Sequence, residues 1–141
     1  MIRYSTGLEG IGPEQLSGFF EGWPNPPSPE THLRILSGSD HIVLAIDDEA
    51  QRAVGFVTAI TDGVLAAYIP LLEVLPEYRG RGIGRELVSR LLGVLGGYYM
   101  VDLVCDRELE GFYAPLGLGP AHAMVVRRRD AQSGRSGDPA D

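Results

Sequence analysis

The chain has 141 residues, of which 44% are hydrophobic and 22% charged, values typical of one globular domain and far from those of a disordered chain. Its formal net charge of −7 argues against nucleic-acid binding, which needs a basic face. The lack of a long apolar run or a signal peptide, together with the single cysteine Cys105, predicts a cytoplasmic protein without membrane contact.

The first half of the chain is predicted to contain strands and helices in mixed order. Residues 2–4 predict a short strand, and residues 13–23 predict a helix because large apolar side chains recur there at helical spacing. Ser28 is expected to cap a second helix over residues 29–36, which begins with a proline. Residues 41–46 and 53–61 are rich in aliphatic side chains and predict a β-hairpin.

A strand–helix–strand unit follows. Residues 65–74 are almost wholly apolar and predict a central strand that is covered on both faces. Pro70 predicts a bulge or break within it, because its nitrogen cannot donate a hydrogen bond. An amphipathic helix over 82–95 leads to a strand over 98–105, and a right-handed crossover makes the two strands parallel.

The C-terminal region is predicted to complete one domain of residues 1–129. A short helix over 107–114 and a last strand over 121–128 give a mixed α/β fold with about six strands. The composition of residues 130–141 predicts a disordered tail. The basic run at 127–129 is interpreted as solvated surface, and Trp23 as part of the hydrophobic core.

A glycine-rich turn joins the apolar strand to the amphipathic helix, and its residues are Arg79, Gly80, Arg81, Gly82, Ile83, Gly84 and Arg85. Free N–H groups at a helix N-terminus attract phosphate, glycines let the backbone approach it, and arginines add charge. The bland alternative is an ordinary glycine-rich connection. A Walker A loop is excluded because the chain has no lysine, and the glycine spacing and late position argue against a dinucleotide-binding domain.

This segment resembles the core motif of the GCN5-related N-acetyltransferases (GNAT), Q/R-x-x-G-x-G/A, present here as Arg79-x-x-Gly82-x-Gly84. A V-x-P element precedes it at residues 74–76. A second family signature, F-Y-x-x-x-G-F, appears at residues 112–118 with Leu118 in place of the last aromatic. The resemblance covers roughly residues 40–128. It implies a single-domain mixed sheet with helices on both faces and splayed central parallel strands.

The resemblance implies acetyl-CoA, or another short acyl-CoA, as the cofactor. The pyrophosphate would lie on the N–H groups of residues 80–85, and the pantetheine arm would pair with the strand at Leu72–Val74. No metal is expected, because the histidines lack ligand spacing. The implied cofactor-binding positions are Leu72, Val74, Arg79, Gly80, Arg81, Gly82, Ile83, Gly84, Arg85, Asp106 and Phe112, of which Asp106 stands where the family often has asparagine.

The resemblance also implies a reaction in which a neutral primary amine attacks the thioester carbonyl directly. Tyr113 is the expected proton donor to the leaving thiolate, and a backbone N–H near Val74 is the expected oxyanion donor. Glu73 is a candidate base, although it could equally point away from the slot and pair with an arginine. Tyr68 falls where some family members carry their base, and it could instead line the acceptor pocket or relay a proton through water.

The predicted function is therefore an N-acetyltransferase that moves an acetyl group from acetyl-CoA to a primary amine of a small molecule. Two alternatives stay open: a non-catalytic acyl-CoA-binding module for sensing, and an acetyltransferase for protein or peptide amines. The acidic N-terminal half favours a cationic acceptor. The sequence leaves the oligomeric state open, including a homodimer.

Overall fold

The computed structural model describes residues 1–136 as a six-stranded mixed sheet with helices on both faces. The strands are β1 (Ile2–Ser5), β2 (His41–Asp47), β3 (Arg52–Thr61), β4 (Ala66–Ile69), β5 (Leu72–Val74) and β6 (Met100–Leu103). The α-helices are α1 (Pro29–Gly38), α2 (Ile83–Val94) and α3 (Glu110–Tyr113). Short 3-10 turns lie at Pro13–Gln15, Pro76–Tyr78, Arg107–Leu109, Ala114–Leu116 and Arg129–Ala131.

The sheet has the strand order β1-β2-β3-β4-β6, and β5 pairs with β3 beyond the end of β4. All neighbouring strands are antiparallel except β4 and β6, which are parallel as the crossover rule predicts. Because β6 pairs with β4 and not with β5, the sheet opens after Ile69 and Leu103. The mixed fold and the splayed strands are confirmed.

Pro70 breaks the predicted long strand into β4 and β5, as expected. Tyr68 pairs with Ile60, and Glu73 pairs with Phe56. An interval of five residues from β4 to β5 therefore lies opposite an interval of four residues in β3. This extra residue is a bulge, and it places Tyr68 and Glu73 on the same face of the sheet. The prediction that the strand at 65–74 is covered on both faces is wrong for β4, because Tyr68 is 38% exposed.

The two faces of the sheet are covered by different helices. A methyl group added to Gly55 would lie 3.0 Å from Leu87 Cδ1, so α2 packs tightly on that face. The neighbouring Phe56 points to the opposite face, where its ring contacts the ring of His32 on α1 at a centroid distance of 4.4 Å. The capping prediction for α1 is confirmed, because the Ser28 hydroxyl accepts a hydrogen bond from the N–H of Thr31 at 3.1 Å.

The predicted helix at 13–23 is wrong. Only Pro13–Gln15 forms a 3-10 turn, and the rest is a loop in which Gly18, Phe20 and Gly22 have φ values of 89°, 63° and 81°. Left-handed backbone cannot continue an α-helix. Large side chains of this loop are nevertheless buried in the core, which explains why their spacing imitated a helical face.

The predicted strand at 121–128 is also wrong, because these residues join no strand of the sheet within residues 1–136 and all are exposed. The helix predicted at 107–114 is confirmed as a helical run of α and 3-10 turns that ends at Leu116. The described residues still contain six strands, because the predicted strand at 65–74 forms two strands, β4 and β5.

The region predicted as a disordered tail begins within the turn Arg129–Ala131. The N–H of Asn25 donates to Gln132 Oε1 at 2.9 Å, and Arg34 donates to the carbonyl of Arg135 at 2.9 Å. Residues 137–141 lie outside the described residues, and the domain boundary at 129 stays a prediction. Within residues 1–136 the structure contains no helix that is both long and apolar enough to cross a membrane.

Candidate functional site

The free edge of β5 forms one wall of the opening between the splayed strands. The carbonyl of Leu71 accepts from the N–H of Thr58, and the N–H of Leu75 donates to the carbonyl of Val54. Since backbone groups alternate along an antiparallel strand, the polar groups of Leu72 and Val74 face away from β3, towards the opening. No strand pairs with this edge in the described part of the chain.

The glycine-rich turn lies directly after this strand and leads into α2. Gly80 and Gly82 have φ values of 79° and 80°, and a methyl group added to either would meet nothing within 4 Å. Their requirement for glycine is therefore conformational, and the surface beside them is open. Gly82 is the N-cap of α2 and has no side chain to cap it, so the N–H groups of Ile83, Gly84 and Arg85 in the first turn have no intrahelical acceptor.

Ile83 packs the N-terminal end of α2 against the sheet. Its side chain is buried, and Cγ2 lies 3.4 Å from the position of a methyl group added to Gly55. A methyl group added to Gly84 would lie 3.5 Å from Phe112 Cζ and 3.7 Å from Val74 Cγ2. Val74 of the V-x-P element, Gly84 of the core motif and Phe112 of the second signature therefore converge at the start of α2.

The arginines of the turn have different surroundings. Arg79 donates through Nε to the carbonyl of Val74 at 2.9 Å and forms an ion pair with Glu21 at 2.8 Å. The guanidinium of Arg81 lies over the ring of Tyr78, 4.9 Å from its centroid. Arg85 is exposed and makes no side-chain hydrogen bond within residues 1–136. Arg79 is thus held by a hydrogen bond and an ion pair, Arg81 also donates to the carbonyl of Glu77 at 3.5 Å, and the exposed Arg85 is accessible to an anion.

Tyr78 anchors the start of the same turn to the sheet. Its hydroxyl donates to Asp47 Oδ2 at 2.6 Å. This hydrogen bond lowers the pKa of Asp47 and raises that of Tyr78, because it stabilises the carboxylate and the neutral phenol together. The turn is therefore held at Tyr78 and Arg79, on the side that precedes the glycines.

Glu73 connects β5 to the loop that replaces the predicted helix. Its carboxylate accepts from the N–H of Phe20 at 2.7 Å and from the N–H of Glu21 at 3.2 Å. Within residues 1–136 it pairs with no arginine, so that alternative from the sequence is not seen, and its role as a base stays a prediction. The sequence analysis missed this loop and its Glu21–Arg79 pair, although two glycines four residues apart, Gly18 and Gly22, argued against a helix.

Tyr68 lies on the same face of the sheet as Glu73, in a cross-strand row with Ile60 and Asp102. All three side chains are exposed, so this part of the face is open. The structure therefore brings both candidate bases to one face, and Glu73 contacts the loop at 17–23 there.

Tyr113 lies at the end of α3 and is 9% exposed. Its ring packs edge-to-face on Phe112 at a centroid distance of 4.9 Å. Burial, with a smaller contribution from nearby Cys105, raises the pKa of Tyr113. The hydroxyl has no hydrogen-bond partner in the part of the chain that the structure describes, and it carries its proton at neutral pH.

Asp106 borders a cleft of about 590 Å³ that is lined by Trp23, Asp106, Arg127, Arg128, Arg129 and Gln132. The cleft brings the N-terminal loop, the end of β6 and the C-terminal segment together. Its basic lining gives no support to a cationic acceptor at this place. Trp23 is 38% exposed and lines this cleft, so its assignment to the core is wrong.

Comparison with known proteins relates this geometry to a family. The model of the acetyltransferase (GNAT) family matches residues 8–117. A crystal structure of a Deinococcus radiodurans R1 protein, provisionally assigned as an acetyltransferase, is 53% identical, with a TM-score of 0.92, and the alignment covers 96% of this chain and 94% of that one.

Two curated relatives come from Oryza sativa subsp. japonica. Serotonin N-acetyltransferase 2, chloroplastic, is 32% identical in an alignment of 120 residues that covers 82% of this chain and 58% of that protein. Glucosamine 6-phosphate N-acetyltransferase 1 is 32% identical in an alignment of 109 residues that covers 67% of this chain and 66% of that protein. The chain thus spans less than two thirds of the length of each. The family match covers the core motif, the glycine-rich turn and residues 112–117 of the second signature, and the chain belongs to the GNAT acetyltransferase family.

Proposed function

We propose that the protein transfers an acetyl group from acetyl-CoA to a primary amine of a small molecule by direct attack. The observation that carries this proposal is the continuity between the free polar edge of β5 and the uncapped N-terminus of α2. An extended amide-bearing arm and a pyrophosphate need these two features next to each other. Acetyl-CoA supplies both groups, together with an acetyl group activated as a thioester.

The residues around the opening fit such a cofactor. Leu72 and Val74 offer backbone groups along the edge, and the first turn of α2 offers N–H groups beside Gly80 and Gly82. Arg81 and Arg85 add positive charge, while Arg79 holds the Val74 carbonyl. Phe112 provides an apolar wall near Gly84, and Asp106 borders the cleft beyond β6.

Tyr113 is proposed to hold the proton that the departing sulfur needs. Its hydroxyl, which has no partner within residues 1–136, and its raised pKa suit a donor that stays protonated at neutral pH. The Val74 N–H is proposed as the donor to the developing oxyanion, because it faces the opening and not β3. The proton of the attacking amine is proposed to leave through Glu73 or Tyr68, which share one face.

A small-molecule acceptor is supported by the relatives whose names specify serotonin and glucosamine 6-phosphate. Acetylation of peptide amines would use the same chemistry and would differ only in the acceptor. A sensing module would bind acetyl-CoA without turnover. A cytoplasmic location is part of the proposal, on the ground of the single cysteine.

The decisive experiment combines binding with turnover. Thermal unfolding is measured with and without CoA, because a ligand that binds only the folded state raises the midpoint. Thiol release from acetyl-CoA is then followed with a panel of small amines and with peptides that have free N-termini. Stabilisation with amine-dependent thiol release supports the proposal. Stabilisation without release by any amine supports a sensing module, and no stabilisation at saturating CoA contradicts both.

A further inference from the structure

The cleft between the N-terminal loop and the C-terminal segment, here the arginine cleft, has a lining in which positive charge predominates. Arg127, Arg128 and Arg129 border it together with one carboxylate, that of Asp106. All three arginines are exposed, and none forms an ion pair within residues 1–136. Arginines gathered in this way, in excess over carboxylates, are suited to bind an anion through two or more of its oxygens.

Two further side chains give the arginine cleft a neutral donor and an apolar wall. Gln132 Oε1 accepts from the N–H of Asn25 at 2.9 Å, so the NH2 group of the same side chain is left as a donor. The ring of Trp23 packs on that of Phe20 at a centroid distance of 4.9 Å, and its exposed part borders the cleft. A ligand that combines an oxyanion with a compact apolar body fits this set of groups.

The arginine cleft lies on the side of the sheet that carries the candidate bases. Glu73 pairs with Phe56, so both side chains point to the face that α1 covers. The loop that Glu73 holds through the N–H of Glu21 continues on this side to Trp23. The helix α2, whose N-terminus borders the proposed pyrophosphate position, packs on the opposite face at Gly55. The cleft is therefore placed for the acceptor and not for the pyrophosphate.

The arginine cleft is also within reach of the opening between the splayed strands. Asp106 follows Leu103, the last residue of β6, by three residues, and three residues of chain span at most about 11 Å. Trp23 follows Glu21 by two residues, which span at most about 7 Å. One small molecule can therefore extend from the opening into the cleft.

We propose that the acceptor is a small amine that also carries an oxyanion, a carboxylate or a phosphate, and that the arginine cleft binds this group while the amine faces the thioester. Binding at two points orients the attacking nitrogen. A cationic amine without an oxyanion would be repelled by the three arginines. This substrate class rests on the proposed acetyl transfer, and the oxyanion takes no part in the bond changes of that reaction.

Matched pairs of amines test the substrate class with the full chain. Thiol release from acetyl-CoA is measured with β-alanine and β-alaninamide, and with O-phosphoethanolamine and ethanolamine. We expect kcat/KM to be at least tenfold higher for the anionic member of one pair or of both, and the pair that shows it identifies the group. The amine of β-alaninamide is less basic than that of β-alanine, so a preference for β-alanine would come from binding and not from a larger neutral fraction.

The result distinguishes this substrate class from the acetyl transfer on which it rests. If both neutral amines are acetylated as efficiently as their anionic counterparts, the substrate class is overturned and acetyl transfer stands. If no amine releases thiol from acetyl-CoA, acetyl transfer is overturned and the substrate class falls with it.

Variants test whether the arginine cleft binds the oxyanion. The combined change Arg127→Gln, Arg128→Gln and Arg129→Gln should lower kcat/KM for the preferred anionic amine at least tenfold, and for its neutral counterpart less than threefold. Arg107→Gln is the matched control and should keep both values, because Arg107 is exposed and adjacent to Asp106 but does not border the cleft. Thermal unfolding checks that both variants fold.

Two further measurements separate the acceptor from the cofactor. Inorganic phosphate should inhibit the wild-type protein in competition with the anionic amine, and this inhibition should weaken in the combined variant. The KM for acetyl-CoA should stay within about twofold in that variant. A raised KM for acetyl-CoA with an unchanged preference among the amines would assign the cleft to a phosphate of the cofactor and overturn the proposal. An unchanged preference with an unchanged KM for acetyl-CoA would overturn it as well.

Discussion

The carboxylate of Glu73 accepts a hydrogen bond from the backbone N–H of Phe20 at 2.7 Å, across 53 residues of sequence. Phe20 has a φ of 63°, a left-handed conformation that is uncommon for a bulky residue and occurs in functional loops. The strand at the proposed cofactor edge therefore holds the loop at 17–23 directly. Arg79 adds a second connection through its ion pair with Glu21.

Removal of this carboxylate should weaken both the fold and the site. Glu73→Ala leaves the N–H groups of Phe20 and Glu21 without their acceptor, and we expect a loss of about 1–3 kcal/mol in the free energy of unfolding, measured with urea. Glu73→Gln keeps one acceptor and should lose less. A loss as large in Glu73→Gln as in Glu73→Ala would show that the two hydrogen bonds do not carry the effect.

The same variants test the proposed base. If Glu73 accepts the amine proton, Glu73→Gln should lower kcat/KM at least tenfold, while Tyr68→Phe should leave it within about threefold. If Tyr68 is the base, the result reverses. Unchanged kcat/KM in both variants would remove both residues from this role.

Tyr113→Phe should lower kcat at least tenfold and leave CoA binding within about twofold, because it removes one hydroxyl from a packed ring. Burial raises the pKa of this phenol, so the wild-type donor keeps its proton at neutral pH. Deprotonation of Tyr113 should therefore not limit kcat there. Unchanged turnover in the variant, with acetyl-CoA and the best amine of the panel, would remove Tyr113 from catalysis.

Two glycines of the core motif should respond oppositely to alanine. Gly82 has a φ of 80°, so Gly82→Ala should destabilise the protein by about 1–2 kcal/mol. Gly84 lies within α2, and its added methyl group would make ordinary contacts at 3.5 Å and 3.7 Å. Gly84→Ala should therefore be neutral or stabilise by up to about 1 kcal/mol. Equal destabilisation of both variants in chemical unfolding would contradict this assignment.

His32 should make the protein less stable in acid. Its ring is 1% exposed among Phe19, Phe20 and Phe56, and neither ring nitrogen has a hydrogen-bond partner within residues 1–136. Burial lowers the pKa of His32 from 6.5 to about 4, because the charged ring would lose its hydration. The unfolded chain takes up a proton first, so stability should fall as pH decreases from about 6.5 to about 4, by roughly 3 kcal/mol.

Urea unfolding at pH 7 and at pH 4.5 measures this dependence. His32→Phe should make stability less dependent on pH, because the variant has no imidazole to protonate. His122→Gln replaces an exposed histidine and should keep the wild-type dependence. If His32→Phe and wild type lose the same stability on acidification, His32 is not the responsible group.

Local chemistry made much of the fold predictable from the sequence. Ser28 caps α1, Pro70 interrupts a strand that cannot use its nitrogen, and Gly82 begins α2 with a left-handed backbone. Each signal depends on a residue and its immediate neighbours. The same is true of the glycine-rich turn and the two signatures, which is why they indicated the cofactor edge and the family.

Tertiary contacts decided the rest. Leu16, Phe19 and Phe20 are buried at helical spacing without a helix, because the core takes their side chains from a loop. Residues 121–128 have the composition of a strand, but a strand exists only beside another edge. The partners of Glu73 and Arg79 come from that distant loop. The sequence thus determined the local turns, caps and motifs, while long-range packing determined which side chains each motif meets.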